Sequence, residues 1–154
     1  MRMYQYSCII DRVVDGDTVD VSVDLGFDMW KRNCRIRLSG IDAPESRTTD
    51  LVEKQFGLLS KSFVESTLPV GSRQTLVTKA YDASGKYGRT LGTFIVFDAT
   101  TDAWIELSDI MLRDGYATPY LGGSKEEIQQ MHMNNRRKLI ESGAIDMTLE
   151  EAGL

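Results

Sequence analysis

Four carboxylates stand where apolar runs end. The stretch VVDGDTVDV at 13–21 places Asp15 and Asp17 around a glycine, and SGIDAPES at 39–46 places Asp42 three residues before Glu45. Asp17 and Asp42 offer hard oxygens from two strand ends, the ligand type that Ca2+ or Mg2+ takes. Glu45 is spaced to hold a proton-abstracting position beside them without being a ligand itself. Arg37, five residues before Asp42, brings fixed positive charge to the same end of its strand. Plainer readings compete with this one. Asp15-Gly16 is a hairpin dipeptide, because Asp tolerates and Gly prefers positive φ. Asp17, a second acid directly after that turn, adds like-charge repulsion without helping it. SGIDAPES also reads as an ordinary loop, since Ala43 before Pro44 is pushed toward extended geometry. The calcium-hand spacing of acids and glycine is not met.

These residues need strands to hold them, and strand signals dominate the first 40 positions. Val19, Val21, Val23 and Leu25 alternate with Asp20, Ser22 and Asp24, and Cys34, Ile36 and Leu38 alternate with Arg35 and Arg37. Both arginines therefore fall on the polar face. A helix follows, with Asp50 and Glu53 as a capping pair, an apolar stripe of Val52, Phe56, Leu59 and Phe63, and Pro69 and Gly71 beyond its end. Strands are expected at 73–81 and 90–97 around the polar loop 82–89. A short helix is expected at 107–114, stopping at Gly115, and a last one from Ser124 to near Gly143. Strands closing on themselves with helices outside suit a small Greek-key barrel, of which the oligonucleotide-binding fold is one. The fold class is α+β, a five-stranded barrel with three helices.

The chain has 154 residues, 42% apolar and 27% charged, which suits one soluble domain. No apolar run reaches the roughly 18 residues of a membrane span. Asp11 and Arg12 interrupt the N-terminal apolar stretch, so it reads as a first strand and not a signal peptide, and a cytoplasmic location is expected. Cys8 and Cys34 sit at apolar-phase positions, which favours buried thiols over a bridge or a reactive thiol. The net charge of −5 is unpromising for a nucleic-acid partner until its distribution is considered. Residues 139–154 contribute −4, leaving −1 on the other 138, while KRNCRIR at 31–37 holds four cations. A near-neutral body with a basic stripe leaves nucleic acid open as a partner. No repeat or linker divides the chain, and no heptad run argues for assembly, so a monomer is expected.

VDGDT, RLSGIDAPE and KYGR, in that order and spacing, resemble the staphylococcal nuclease (thermonuclease-like) family, and VEKQFG at 52–57 is similar to the start of that family's first helix. The resemblance spans about residues 4–142 and implies a nuclease-like domain over 1–142 with an acidic tail at 143–154. It implies an oligonucleotide-binding-fold barrel and a Ca2+-dependent phosphodiesterase site acting on DNA, RNA or both with little sequence specificity, leaving 3′-phosphate ends. By motif position, Asp17 and Asp42 would be carboxylate ligands of the metal and Ala43 a carbonyl ligand. Glu45 would be the general base. Arg37 and Arg89 would contact the scissile phosphate. Lys86 and Tyr87 would contact a terminal phosphate, and for base stacking Tyr116 and Tyr120 are the aromatics available, Tyr120 being the candidate. Ala43 departs from the threonine of the best-known member, a change that keeps the carbonyl and loses a hydroxyl.

Two other classes stay open: a non-catalytic nucleic-acid-binding module on the same fold, and a protein-interaction domain using the acidic tail. The presence of Asp17, Asp42, Glu45, Arg37 and Arg89 together favours the enzyme. His132, far in sequence from the carboxylates, is given no role. Arg136, Arg137 and Lys138 are expected on a solvated helix face.

Overall fold

The computed structural model describes residues 4–82, 89–120 and 124–154, with Tyr81 and Asp82 described by backbone alone. In chain order it contains β1 (Tyr4–Asp15), β2 (Thr18–Gly26), β3 (Met29–Leu38), β4 (Ile41–Asp42), α1 (Leu51–Thr67), β5 (Arg73–Asp82) and β6 (Arg89–Asp98). Then come β7 (Ala103–Glu106), α2 (Leu107–Asp114), β8 (Thr118–Pro119) and α3 (Lys125–Glu141).

β1 pairs antiparallel with β2 on one side and β5 on the other, β2 with β3, and β5 with β6. A parallel pairing of β3 with β6, Arg37 opposite Leu91, closes these five strands into the expected barrel. The alternation read from the sequence is what fills it. Cys8, Ile10, Val19, Val21, Ile36, Leu38, Leu76 and Phe94 are buried together, and Val64 of α1 and Met111 of α2 join the same core. Both cysteines are free and buried, and burial pushes the Cys8 thiol up to about 11, so it stays protonated.

The helix ends follow the capping signals. Asp50 accepts from the Val52 and Glu53 amides, Ser124 accepts from the Glu127 amide, and Gly115 ends α2 at φ 87°. Three strands were not legible: β4, β7 and β8 have two to four residues, too few to show a period.

A second, smaller core lies between α1 and α3. Phe56, Leu139 and Ala152 are buried there, with Ile145 and Met147 packed against them. Arg136 is not on a solvated face: it is buried, its guanidinium 5.2 Å from the Phe56 ring centre and its Nη1 donating to the Ala152 carbonyl at 3.0 Å. Residues 143–154 thus fold back onto α1 and α3. Among the described residues, no helix is long and apolar enough to cross a membrane.

Removing residues 144–154 exposes Phe56 and Leu139 and strips Arg136 of its carbonyl. The expected loss is about 2 kcal/mol or more, a fall in Tm of about 4–8 °C for a chain of this size. Thermal melting followed by circular dichroism checks it, and an unchanged Tm would show that the second core contributes no stability.

Candidate active site

The hairpin joining β1 to β2 forms, but its turn residues are Gly16 and Asp17, with Asp15 paired opposite Thr18. Gly16 does not take positive φ. Its requirement is close approach: a Cβ there would lie 2.8 Å from the Ser60 Cβ and 3.0 Å from the Ala43 Cβ, so glycine lets α1 and the chain after β4 pack onto the turn. The turn fixes Asp17 by hydrogen bonds. Oδ1 accepts from the Thr18 hydroxyl at 3.0 Å, Oδ2 accepts from the Ala43 amide at 3.1 Å, and the Asp17 carbonyl accepts from the Leu38 amide at 2.8 Å.

Arg35 and Arg37 share a strand face but not an environment. Arg35 is 49% exposed and grips Asp20 through Nε and Nη2 at 2.8 and 3.0 Å. The Arg37 side chain is 15% exposed and lies between two acids, Nη1 3.4 Å from Asp17 Oδ2 and Nη2 3.5 Å from Asp42 Oδ1. Its Nη1 also donates to the Ile41 carbonyl at 3.0 Å. Asp42 is held from behind by β8, where it pairs with Thr118. Its Oδ2 lies 3.2 Å from His132 Nε2, which reaches in from α3.

Glu45 is exposed beside this pair. Partial burial, and then the charges of Asp15, Asp17, Glu53 and Asp42, raise its carboxyl above the usual glutamate range. Its backbone is fixed by α1: a Cβ on Gly57 would lie 2.2 Å from the Glu45 carbonyl oxygen, so only glycine permits this contact. Asp15 accepts from the Ser46 hydroxyl and, at 3.2 Å, from Arg47 Nη2. Among the described residues Asp17 and Asp42 touch the Arg37 guanidinium and Asp15 that of Arg47, while Glu45 feels the negative charge of all three acids.

Comparison with known proteins bears on this cluster. The family model described as staphylococcal nuclease homologue matches residues 35–140. The chain belongs to the staphylococcal nuclease family. It is 34% identical over 122 residues to Endonuclease YhcR of Bacillus subtilis strain 168, a span of 75% of this chain and 9% of that protein. It is 39% identical over 82 residues to Protein ParB of Escherichia coli, covering 53% of this chain and 37% of that one. The chain thus spans much less than two thirds of either relative.

As a staphylococcal nuclease family member, the chain brings Asp17, Asp42, Ala43, Arg37 and Glu45 to one end of its barrel from the β1–β2 turn, β3, β4 and the segment after it. Arg89 is exposed at the start of β6, two residues before Leu91, the strand partner of Arg37, and so on the same sheet face. Tyr120 is 59% exposed, and its amide donates to the Gly40 carbonyl at 2.8 Å, which places it beside β4. Tyr116, by contrast, is stacked on Phe63 at 4.3 Å. Lys86 and Tyr87 lie outside the described residues.

Sequence reasoning missed Ser46, Arg47 and His132. The first two sit in a plain-looking loop. His132 shares a helix face with the buried Arg136 and Leu139 at four and seven residues on, a period that could have marked it as inward-facing.

Asp17 and Asp42 flank one guanidinium, and their carboxylates are hard oxygen donors suited to Ca2+ or Mg2+. Among the described residues no three His, Cys, Asp or Glu side chains group as ligands of one ion. Two carboxylates would therefore have to share a cation with carbonyl, solvent or substrate oxygens.

Gly57→Ala drives a methyl into the Glu45 backbone and is expected to cost about 1–3 kcal/mol, read as a lower urea midpoint. Unaltered stability would mean that α1 does not brace the Glu45 segment.

Proposed function

We propose that this chain is a Ca2+-dependent nuclease that hydrolyses phosphodiester bonds of DNA, RNA or both with little sequence specificity. The observation that carries this reading is the Arg37 guanidinium held between Asp17 and Asp42, with Glu45 beside them. Attack on a phosphodiester builds charge on an already anionic centre, so the site must supply positive charge. Asp17, Asp42 and the Ala43 carbonyl would hold the cation, which when bound would offset phosphate charge as a Lewis acid.

The chain's own residues do the remaining work. Arg37, with Arg89 on the neighbouring strand, presents planar donors that match phosphate oxygens. Pairing with two acids keeps the Arg37 fork in place before substrate arrives, which lowers the cost of ordering it on binding. Glu45 would take a proton from the attacking water. A carboxyl raised above the usual glutamate range is a stronger base than an ordinary glutamate while it is ionised. Tyr120, exposed beside β4, offers a ring for a base to stack on, which tolerates any sequence. Lys86 and Tyr87 are assigned to a terminal phosphate by motif position alone. Expulsion of the 5′-oxygen would leave a 3′-phosphate.

The test is cleavage of single-stranded DNA, duplex DNA and RNA with Ca2+, with Mg2+ and with chelator, followed by end analysis of the products. Calcium-dependent cutting is expected, falling at least ~10²-fold in Glu45→Gln and ~10²–10³-fold in Arg37→Met. Binding of all three substrates without cleavage under any condition would replace the enzyme by a nucleic-acid-binding module on the same barrel.

A further inference from the structure

His132 Nε2 lies 3.2 Å from Asp42 Oδ2, across 90 residues of sequence, and the ring is 12% exposed. A carboxylate can only accept, so the hydrogen in this contact belongs to Nε2. The other ring nitrogen, Nδ1, is buried and has no hydrogen-bond partner among the described residues. A hydrogen on Nδ1 would be a buried N–H with no acceptor, whereas a lone pair there costs less, so the neutral ring is the Nε2–H tautomer.

The helix that carries the ring is anchored independently. Asn135 Nδ2 donates to the Ala117 carbonyl at 2.9 Å, next to Thr118, whose hydroxyl donates to the Asp42 carbonyl at 3.4 Å. Arg136, one turn beyond His132, is locked to Phe56 and Ala152.

Asp42 therefore has its two oxygens assigned to different partners, Oδ1 to Arg37 and Oδ2 to His132. The Arg37 contact is 3.5 Å long, and the strand beneath Asp42 has two residues. Arg37 alone would leave the carboxylate free to turn about its last torsion, a soft one. We propose that His132 is a positioning residue: its Nε2–H fixes the plane of the Asp42 carboxylate and presents Oδ1 to the cation. This rests on the reading of Asp42 as a metal ligand given above. Such outer partners set the orientation of first ligands and typically matter ~10–100-fold in metal affinity.

The chain has one histidine, so nitrogen-15 NMR of the wild-type ring needs no assignment. At pH 8 the Nε2–H tautomer is expected, and the Nδ1–H tautomer would overturn the proposal. Calorimetric titration with Ca2+ and nuclease assays then compare wild type, His132→Gln and His132→Leu. His132→Gln keeps a donor at the reach of Nε2 and should bind Ca2+ within about threefold of wild type, while His132→Leu should bind ~10–100-fold more weakly. The cleavage deficit of His132→Leu should shrink as Ca2+ is raised.

Should His132→Leu fail to fold, His132→Gln and the ring spectrum still decide. Equal weakening in both variants would mean that packing and not the N–H matters, which overturns the proposal. Wild-type affinity in His132→Leu would overturn it too, leaving the nuclease reading intact. Absence of Ca2+ binding in wild type would instead remove the ligand reading, and this role with it.

Discussion

A guanidinium that is mostly buried has to be paired, and in this chain that requirement adds a charge link between three segments that hydrogen bonds from backbone amides already bring together. Arg37 lies on β3, Asp17 in the β1–β2 turn and Asp42 on β4. Removing one partner leaves a charge that has lost part of its water, and the cost grows with burial toward the roughly 3–5 kcal/mol of a fully buried pair. The barrel closure meets the same need from below: the parallel pairing of β3 with β6 puts Arg37 opposite Leu91, and the Leu38 amide donates to the Asp17 carbonyl. Backbone pairing sets the rough positions, and charge pairing sets the final ones. Arg35 shows the contrast. One pleat earlier and solvated, its pair with Asp20 belongs to the class of surface bridges that contribute little.

Arg37 does not neutralise its surroundings. Asp15, Asp17, Asp42 and Glu45 outnumber the guanidiniums that touch them, and their mutual repulsion contributes to raising the Glu45 carboxyl. A cluster of this sign repels a phosphodiester as it stands. On the proposed reading, cation and nucleic acid each reduce the cost of binding the other, and linkage makes the gain equal in both directions. The acidic overall charge then poses no paradox. On that reading the site's affinity for a polyanion would depend on what the carboxylates hold more than on a basic surface.

What could be read beforehand was whatever repeats or caps locally. Alternation in VDVSVDL and CRIRL marked β2 and β3, Asp50 and Ser124 marked two helix starts, and Gly115 marked a helix end. The acids and Arg37 could be singled out because their types were out of place at strand ends. Distance in sequence hid the rest. Nothing local separates Arg35 from Arg37, since both have the same phase, and only β4 and its neighbours bury the second. Gly16 looked like a turn glycine but is required by the approach of Ala43 and Ser60, from 27 and 44 residues further along the chain. His132 meets Asp42 only because α3 packs beside β8, and β8 itself is too short to leave a pattern.

The shortness of β4 explains why helices surround the site. Two residues with two cross-strand partners, Pro119 and Thr118, would not by themselves hold a carboxylate as closely as the proposed chemistry on a phosphate demands. The missing rigidity comes from both flanks. On one side Gly57 lets α1 press directly on the Glu45 backbone, and on the other α3 delivers His132 to Asp42. Both helices are in turn joined by the small core of Phe56, Leu139 and Ala152, where Arg136 stacks on a ring of α1 and bonds the carbonyl of the returning C-terminal segment. Phe56 immediately precedes Gly57, and Arg136 follows His132 by one helical turn. The residues that clamp the helices together are thus next to Gly57 and His132, so on the proposed reading the second core would serve the site as well as the fold.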